Sequence, residues 1–593
     1  MLPMTWASAL TGLVLLTMVV ALVREWAAPS IVVIGAMIVL LISGIISTEQ
    51  AFAGFSNPAP ITVAALYILA RGVEKTGALQ PLVAGTLDPH RPDRWNLARL
   101  LVPTASASAF LNNTPIVAML VPQVSAWASR WNRPVGLFLL PISFAAILGG
   151  TLTLIGTSTN LVISGLLEAS GEAPIGMFEL TAVAFPAALG GLVFLIVLTP
   201  LLLPHRRGLK ERFEEDWREF VVEMTVVSGG AAEGRTVEEA GLRNLKGVFL
   251  ARVDRGGRTI APVSPDEVLQ EEDELQFVGR ADLIVDLLAV PGLVSSEHKH
   301  TESYRDATHA FYEVVVSSIS PLTGRTLKEA NFREQYQSAV LAIHRAGERV
   351  RGKLGEISLK AGDTLLILSD AGFVERWRHR RDFLLVSRLD GALPTGTRKS
   401  VIALGVVGSV VLLAGIGVLP ILKGALLGAI ALVGTRVLTP NEARNAVDLD
   451  VVLLIAAAFG VGNAIQSSGL ADLVAGRLVN GASALGPVAV LAAVALVTLI
   501  LTELITNNAA AVLMFPVGVA AAVGMGLDPR PFAIVVALTA SASFLSPIGY
   551  QTNTMVYGPG GYRFTDFARL GLPITLLFTT GVVLLTALKW NLI

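Results

Sequence analysis

Residues 111–115 read Leu-Asn-Asn-Thr-Pro and residues 505–509 read Ile-Thr-Asn-Asn-Ala, and both stretches interrupt long apolar runs. The first lies within the run 99–127 and the second within the run 482–520. A transmembrane helix needs about 20 mostly apolar residues, so each run is longer than one span. We therefore predict two helical hairpins, near 99–127 and 495–520, that enter the membrane and turn back at the Asn pair.

Two further apolar runs are interrupted by glycine, proline and hydroxyl residues. The run 135–168 contains Gly-Thr-Ser-Thr-Asn at 156–160, and the run 530–557 contains Ser-Pro-Ile-Gly-Tyr-Gln-Thr-Asn at 546–553. Such residues leave backbone amides and carbonyls unpaired at membrane depth, which is tolerated only where they line a cavity or are buried in protein. The breaks therefore predict a polar site inside the membrane.

The interruptions form two copies of one pattern. Asn113 and Asn507 are each followed nine residues later by a proline, and Asn160 and Asn553 each come four residues after a glycine. The offsets between the copies are 394 and 393 residues. A duplicated pair of broken helices is typical of secondary transporters, whose substrate and coupling ions bind near the midplane. We predict an α-helical polytopic membrane protein with an inverted repeat and two re-entrant helical hairpins.

The composition divides the chain into apolar and soluble parts. Of the 593 residues, 53% are hydrophobic and 15% are charged, whereas soluble proteins average about 25% charged residues. Of the 91 charged residues, 60 lie between residues 206 and 400. The sequence therefore predicts two membrane blocks around a soluble insert. The first apolar run lacks a basic segment and a cleavage site, so we expect it to be a retained span.

Charge and cysteine content exclude several classes of function. A net charge of −1 without a basic tail gives no electrostatic reason to expect nucleic acid as a partner. The absence of cysteine excludes disulfides, thiolate catalysis and Cys-ligated metals. The membrane blocks contain neither a nucleophile elbow nor a His-rich metal spacing, so we expect neither an enzyme nor a bound cofactor.

The soluble insert contains a repeat of its own. Gly-Arg-Thr-Val-Glu-Glu-Ala at 234–240 matches Gly-Arg-Thr-Leu-Lys-Glu-Ala at 324–330, and 272–277 matches 362–367 at the same offset of 90 residues. Each unit reads strand, turn, helix, strand and closing strand, which predicts a tandem pair of small α/β domains. Basic residues at both membrane junctions favour a cytoplasmic location for the insert, 206–397.

On these motifs the chain resembles the divalent anion:sodium symporters, a family that includes sulfate, dicarboxylate and citrate carriers. That family carries a Ser-Asn-Thr triplet at each hairpin tip, where this chain has Asn-Asn-Thr at 112–114 and Thr-Asn-Asn at 506–508. The segments 149–160 and 546–554 are similar to the sulfate-permease-like branch. In that branch a pair of RCK-C domains, the C-terminal subdomains of potassium-transport regulators, is commonly inserted.

The resemblance implies a domain order and an assembly. The expected parts are a first transmembrane repeat at 1–205, a linker at 206–218, RCK-C domains at 219–292 and 308–388, and a second transmembrane repeat at 398–593. Members of the family are homodimers in which a transport domain slides along an immobile scaffold, so the resemblance implies an elevator mechanism in the cell (inner) membrane. The RCK-C domains would either bind a small-molecule or nucleotide regulator or only mediate dimer contacts.

Sodium is the expected coupling ion. A partly dehydrated sodium ion needs about five or six oxygen ligands, which amides, hydroxyls and unwound carbonyls supply without adding charge. Two pseudo-symmetric sodium sites are expected, at Asn112, Asn113, Gly156, Thr157 and Asn160, and at Thr506, Asn507, Gly549, Thr552 and Asn553. The competing interpretation is that these buried amides only hold helix ends together.

An oxyanion is expected between the two hairpin tips. The residues expected to bind it are Asn113, Thr114, Thr157, Asn507, Asn508 and Thr552. These motifs contain no arginine, so the positive charge that a divalent anion requires would come from sodium. We expect sulfate as the substrate, with at least two sodium ions per sulfate. The choices between sulfate and other anions, and between sodium and proton, stay open.

Glu503 lies four residues before Asn507 in an apolar run, and an intramembrane carboxylate is a functional candidate by default. It would be either a proton or cation site or a cap for the hairpin. Two alternative functions remain: a di- or tricarboxylate symporter of the same family, and an ion:proton antiporter or arsenite-type carrier that uses Glu503. A potassium channel would need a Thr-Val-Gly-Tyr-Gly filter, to which residues 547–551 bear only a superficial likeness.

Overall fold

The computed structural model describes residues 5–24, 26–78, 87–131, 133–203, 220–242, 248–256, 258–260, 263–279, 292–295, 309–317, 320–345, 348–350, 354–370, 372–377, 382–388, 397–547 and 549–592. Contacts divide the chain into two compact units, Met1–Arg206 with Ala392–Ile593, and Arg207–Gly391. The linker predicted at 206–218 lies outside the described residues.

The first apolar segment is helical. Its α-helices in chain order are α1 (Trp6–Val23), α2 (Pro29–Ile42), α3 (Thr48–Phe52), α4 (Pro58–Lys75), α5 (Asp93–Ser108), α6 (Asn113–Arg130), α7 (Leu139–Gly150), α8 (Ser158–Ala169) and α9 (Thr181–Leu202). Capping residues fix their ends: Asn57 accepts a hydrogen bond from the Ala59 amide at the start of α4. The same helix ends before Gly77, which has the positive φ of a helix C-cap.

The insert contains two five-stranded sheets. The strands are β1 (Phe220–Val226), β2 (Val248–Arg255), β3 (Arg258–Ile260), β4 (Glu274–Gly279), β5 (Leu293–Ser295), β6 (His309–Val316), β7 (Ala339–Arg345), β8 (Glu348–Arg349), β9 (Thr364–Asp370) and β10 (Phe383–Arg388). Two short helices, α10 (Phe332–Tyr336) and α11 (Phe373–Trp377), accompany the second sheet. The strand orders are β3-β2-β4-β1-β5 and β8-β7-β9-β6-β10, which is the same order when each strand is replaced by its counterpart 90 residues later.

The two sheets also share their irregularities. The pairing of β2 with β4 shifts register between Leu250 and Arg252, and that of β7 with β9 shifts between Val340 and Ala342, 90 residues later. A register shift bends the strand and strengthens its twist. The two units of the insert are therefore equivalent in structure as well as in sequence, and even the register shift lies at corresponding positions.

An ion pair between a buried aspartate and a partly exposed arginine recurs in each sheet of the insert. Asp273 accepts hydrogen bonds from Nε and Nη2 of Arg255, both at 2.7 Å, and Asp363 accepts from Nε and Nη2 of Arg345 at 2.8 and 2.7 Å. Neither carboxylate is exposed to solvent. The pKa of the Arg345 guanidinium lies above its ordinary value because Asp363 stabilises the charged form, an effect that exceeds the opposing cost of burial.

The second apolar segment is again helical. Its helices are α12 (Thr397–Gly415), α13 (Ile421–Gly434), α14 (Pro440–Ala446), α15 (Leu449–Ser467), α16 (Leu470–Ala482), α17 (Pro487–Leu504), α18 (Asn507–Gly524), α19 (Pro529–Ala540), α20 (Gln551–Tyr557) and α21 (Phe564–Lys589). Its α15 is capped by Asp448, whose side chain accepts from the Asp450 amide, and the helix ends before Gly469 at positive φ.

The order of helices in the second segment follows that in the first. The helices α5 to α9 form a hairpin, a helix, a loop, a second helix and a long final helix, and α17 to α21 do the same. The packing partners correspond as well, because α2 packs against α15 as α13 packs against α4, and α9 packs against α21. The two segments therefore contribute equivalent elements to one helical bundle.

Within the described part of the chain, eight helical segments are long and apolar enough to cross a membrane. They are Trp6–Val23, Thr48–Lys75, Thr181–Leu202, Arg398–Gly415, Leu449–Ser467, Pro487–Leu504, Asn507–Gly524 and Phe564–Lys589. Large apolar side chains such as Leu16 and Ile500 are exposed on their outer faces, as expected where lipid replaces water. The prediction of a polytopic membrane protein is confirmed at this level.

Glycines allow backbones to touch, and two of these contacts fix the packing of the helices. A Cβ on Gly149 of α7 would overlap the carbonyl oxygen of Ala105 in α5, and a Cβ on Gly571 of α21 would overlap that of Phe544. Any larger residue would force the two backbones apart, so only glycine fits. These contacts hold the hairpin α5–α6 against α7, and α21 against the loop after α19.

Candidate functional site

Each Asn pair lies at the turn between two helices. α5 ends at Ser108 and α6 begins at Asn113, while α17 ends at Leu504 and α18 begins at Asn507. Asn113 and Asn507 are only 2% and 5% exposed. A buried polar side chain at a helix start requires partners, and these partners define the site.

A hydroxyl five residues before each of these asparagines contacts its side-chain oxygen. Ser108 Oγ donates to Asn113 Oδ1, and Thr502 Oγ1 lies 2.9 Å from Asn507 Oδ1. Each hydroxyl also reaches a carbonyl of the following helix, α7 or α19. Ser108 and Thr502 were not among the predicted site residues, although their separation of 394 residues equals that of the two asparagines.

Neutral oxygens surround Gly150. A Cβ on Gly150 would lie 2.6 Å from Asn113 Oδ1, and a Cβ on Gly156 would overlap the Gly150 carbonyl oxygen, so the three residues are in contact. Asn160 Nδ2 donates to the carbonyls of Thr153 at 2.8 Å and Gly150 at 3.4 Å. Asn160 Oδ1 is buried without a hydrogen-bond partner among the described residues. An unsatisfied buried oxygen costs about 1–3 kcal/mol, a cost that a bound cation would remove.

The second segment repeats half of this arrangement. Asn553 Nδ2 donates to the carbonyls of Ser543 at 3.0 Å and Ser546 at 3.1 Å, as Asn160 does in the first segment. The side-chain oxygen of Asn553 is satisfied, because it lies 2.7 Å from the hydroxyl of Ser143, which is also 2.8 Å from Thr552 Oγ1. Asn160 and Asn553 thus donate to equivalent carbonyls. The side-chain oxygen of Asn553 has a hydroxyl partner, whereas that of Asn160 has none among the described residues.

Glu503 contacts the loop that follows α19. Its Oε1 accepts hydrogen bonds from the amides of Phe544 and Leu545, both at 2.9 Å, so it is bonded to this loop rather than to the turn of its own hairpin. Its Oε2 is buried and has no hydrogen-bond partner among the residues that the structure describes. A Cβ on Gly549 would lie 3.2 Å from Oε2 and 3.0 Å from Ser546 Oγ. One carboxylate oxygen therefore holds the loop, and the other is available to a proton or cation.

The hairpin tips contact the opposite half of the molecule. Asn508 Oδ1 in α18 accepts from Ser158 at 3.1 Å and from Thr159 at 3.2 Å, both in α8. Thr114 Oγ1 in α6 donates to Gln551 Oε1 in α20 at 3.3 Å. These residues are about 350 and 437 positions apart in the chain. The structure thus brings the two tips and the starts of two further helices together.

Tyr550 is a further residue for which the sequence predicted no role in the site. Asn113 Nδ2 donates to its hydroxyl oxygen at 3.0 Å, and the side chain of Thr157 also bonds to it. Thr157 is buried and stands before the first residue of α8 without capping it. Tyr550 therefore links two residues that were predicted as ligands.

Two predicted ligands face elsewhere. The side chain of Asn112 bonds to Tyr67 of α4, and both line a mainly apolar cavity with Ser158 and Phe110. Thr506 precedes α18 with an exposed side chain that makes no capping hydrogen bond. Within the described residues, the contacts around Gly150 do not include Asn112, and those around Asn553 do not include Thr506.

A bidentate ion pair fastens the loop after α8 to the start of α19. Arg530 Nε and Nη2 lie 2.5 and 2.7 Å from the carboxylate oxygens of Glu179, and the guanidinium also donates to the carbonyls of Ala173 and Pro174. Burial acts to raise the pKa of the Glu179 carboxyl. Hydrogen bonds from Arg530 and the Gly176 amide outweigh that effect, so its pKa lies below the ordinary value.

Comparison with known proteins places these features in a family. A model of the citrate transporter family matches residues 19–539. The chain is 36% identical over 551 residues to a protein of Chlamydomonas reinhardtii named for a response to sulfur deprivation, covering 90% of this chain and 94% of that one.

Two further relatives are named as transporters. The chain is 34% identical over 602 residues to an uncharacterized transporter of Synechocystis, which covers 98% of this chain and 97% of the relative. It is 26% identical over 785 residues to sodium/sulfate cotransporter 1 of Chlamydomonas reinhardtii, with 96% and 89% covered. These relatives indicate a role in transport rather than catalysis.

Proposed function

The chain belongs to the citrate transporter family, and on this premise we propose that it is a sodium-coupled symporter of a divalent oxyanion, with sulfate as the substrate. The observation that carries the proposal is the cluster of neutral oxygens around Gly150, where Asn160 Oδ1 is buried without a partner in the described residues. The relatives named as sodium/sulfate cotransporters support the choice of both ions.

Sodium binding rests on the chemistry of the oxygens. Asn113 Oδ1, Asn160 Oδ1 and carbonyls of the loop after α7 form an uncharged oxygen set, which suits a hard monovalent cation. The second site would use the matching residues Asn507, Thr552, Asn553 and Gly549. In the first site Ser108 would orient Asn113, and in the second Thr502 would orient Asn507, which makes them positioning residues.

The anion would bind between the hairpin tips, near Thr114 and Asn508. Residues 111–115, 149–160, 505–509 and 546–554 contain no lysine or arginine. A divalent anion entering such a site without compensation would be strongly disfavoured. Bound sodium would supply the missing charge. In addition, the side chains of Thr157, Thr506 and Tyr550 do not cap the helices that follow them, so the backbone amides at these three helix starts would face the anion as donors. At least two sodium ions per sulfate would neutralise the anion, which explains why transport would be coupled.

The corresponding order and packing of the two segments support an inverted repeat with two re-entrant hairpins. Such a repeat operates by alternating access around a site at its interface. We extend the proposal to an elevator mechanism in a homodimer of the cell inner membrane. The insert would be a cytoplasmic pair of RCK-C domains that binds a small-molecule or nucleotide regulator or mediates dimer contacts.

A di- or tricarboxylate symporter is the second candidate, favoured by the description of the family as citrate transporters. The same sodium sites would serve it, and only the anion would differ. Cation exchange through Glu503 is a third candidate, because one oxygen of that carboxylate has no partner in the described chain.

The test is uptake of labelled sulfate into proteoliposomes with an inward sodium gradient, compared with a proton gradient. The matched variants are Asn113→Ala, at the site, and Asn480→Ala, at an exposed position of α16. Concentrative uptake driven by sodium and abolished only by Asn113→Ala is the expected result. Uptake of citrate but not sulfate would favour the second candidate, and sulfate uptake driven only by protons would reject sodium coupling.

A further inference from the structure

Two buried side-chain oxygens of the second segment lie beside the same glycine. Ser543 Oγ and Glu503 Oε2 are both buried and have no hydrogen-bond partner among the residues that the structure describes. A Cβ on Gly549 would overlap Ser543 Oγ, and it would lie 3.2 Å from Glu503 Oε2 and 3.0 Å from Ser546 Oγ. The three oxygens therefore surround one small space, and we refer to these four residues as the Glu503 cluster.

The Glu503 cluster lies between apolar helices, where unpaired oxygens are destabilising. Ser543 is fully buried, and no lysine, arginine or histidine of the described chain pairs with Glu503. A buried hydroxyl without a partner loses its hydrogen bonds to water, and an uncompensated carboxylate loses more. Ionisable side chains at membrane depth therefore occur with a partner, and they mark the sites of ions. One bound cation would satisfy both unpaired oxygens of the cluster.

The charge of the Glu503 cluster belongs to the second segment alone. The residue 394 positions before Glu503 is Ala109, and the residue 393 positions before Ser543 is Gly150. Neither of these residues has a side-chain oxygen. The two segments therefore share their helices and their asparagines, but only the second has a carboxylate at this place.

The oxygen that is left for a cation also differs between the segments. In the first segment Asn160 Oδ1 is buried without a partner among the described residues. Its counterpart in the second segment, Asn553 Oδ1, already lies 2.7 Å from the hydroxyl of Ser143. Around the second hairpin, the unpaired oxygens are those of Glu503 and Ser543. The two segments thus offer a cation an amide oxygen in one case and a carboxylate in the other.

We propose that the Glu503 cluster is an anionic sodium site, with Glu503 Oε2, Ser543 Oγ and Ser546 Oγ as ligands. A carboxylate holds a cation more tightly than neutral oxygens do, because opposite charges attract strongly where water is excluded. Sodium therefore fills this site first and does not need the transported anion in order to bind. This inference rests on the proposed sodium-coupled symport, and it adds the charge and the filling order of the cation sites.

The test is equilibrium binding of labelled sodium to the purified full-length protein without sulfate. Wild type is expected to bind sodium, and Glu503→Gln is expected to weaken the binding about tenfold or more, since ligand charge tunes the affinity of such sites. Glutamine keeps an oxygen that can accept from the amides of Phe544 and Leu545, so the loop after α19 keeps its contact. Glu168→Gln, at an exposed position of α8, is the matched control and is expected to bind as wild type does.

Ser543 provides a second variant that changes no charge. Ser543→Ala removes one ligand, and we expect it to weaken sodium binding by less than Glu503→Gln does. Ser541→Ala is its control, because Ser541 is also buried and its hydroxyl lies 3.1 Å from the Ala537 carbonyl of the preceding helix. A merely structural role for Ser543 would lower the amount of folded protein without changing the sodium affinity of the folded fraction. If Glu503→Gln does not fold, Ser543→Ala decides the test.

The inference fails separately from the proposed function. Equal sodium binding by wild type and Glu503→Gln would overturn the anionic site, because the carboxylate would then only hold the loop. Sodium-driven sulfate uptake by the wild type would still support the symporter in that case. Sodium binding that requires sulfate would likewise overturn the proposed filling order. If the wild type shows no sulfate uptake, the symporter is rejected, and sodium binding to the purified protein decides the inference by itself.

Discussion

Thr502 places its hydroxyl 2.9 Å from the side-chain oxygen of Asn507, and Ser108 makes the same contact to Asn113 in the other half of the molecule. In both cases the contact spans five residues across the turn of a hairpin. The turn of each hairpin thus fixes the orientation of its asparagine side chain through a contact that is local in the sequence.

Thr502→Val should therefore weaken sodium binding without unfolding the protein. Valine keeps the shape of threonine but cannot orient Asn507, and loss of such a supporting contact typically costs about 10- to 100-fold in metal affinity. We expect the half-saturating sodium concentration for uptake to rise about tenfold. Thr498→Val is the control, because Thr498 is equally buried in the same helix and, among the residues that the structure describes, its hydroxyl bonds only to the Val494 carbonyl of its own helix. Unchanged sodium dependence in Thr502→Val would contradict a positioning role.

Gly150→Ala should abolish uptake by filling the space beside Asn113. The new methyl carbon would lie 2.6 Å from Asn113 Oδ1, well inside normal contact distance, so the amide must move. We expect at least a tenfold loss of sodium-driven uptake and loss of sodium-dependent thermal protection. Gly405→Ala, where a Cβ meets nothing within 4 Å, should behave as wild type. Full sodium protection in Gly150→Ala would place the ion elsewhere.

Glu179→Gln should make the stability of the protein less dependent on pH in the acidic range. The carboxyl has a folded pKa below its ordinary value of 4.5, so its contribution is fully present above that pH and is lost as the pH falls toward the folded pKa. For this partly exposed pair we expect a loss of about 1 kcal/mol at pH 7. The melting temperatures of wild type and Glu179→Gln should converge below pH 4.5. Glu168→Gln, at an exposed position, is the control, and a gap that widens in acid would refute the assignment.

Asp273→Asn should destabilise the first sheet of the insert. The substitution removes the charge of a buried carboxylate that pairs with the partly exposed Arg255, and losing hydrogen bonds to a buried group costs about 1–3 kcal/mol. In the full-length protein we expect amide hydrogen exchange in β4 to rise about tenfold or more. Asp266→Asn, at an exposed turn, should leave exchange unchanged. Because Asp363 contacts Arg345 in the same way, Asp363→Asn should have the same effect in β9.

Much of the local architecture could be predicted from the sequence. The apolar run 401–438 is long enough for two helices, and it contains α13 and most of α12. The repeat spacing also predicted the equivalence of the two units of the insert, since β3 and β8 begin 90 residues apart, as do β4 and β9. These features depend on hydropathy and on turn residues, which act within a few positions along the chain.

The partners of the site residues were less predictable. The contacts of Thr114 with Gln551 and of Asn112 with Tyr67 join residues that no local pattern relates. The direction of a side chain just before a helix depends on the backbone conformation of that residue. Thr506 precedes α18, and its backbone conformation leaves its hydroxyl exposed. Residue type and spacing therefore identified the polar regions but not which oxygens face one another.

The close contact between Gly149 and the backbone of α5 limits how the two helices can move. Where Gly149 lies directly on the backbone of α5, no side chain separates the two helices, so no rotamer change can let one slip past the other. We therefore expect the hairpin and α7 to move together in any displacement of either. Any displacement that accompanies transport would have to occur at interfaces where side chains separate the helices, because side chains can repack there at lower cost.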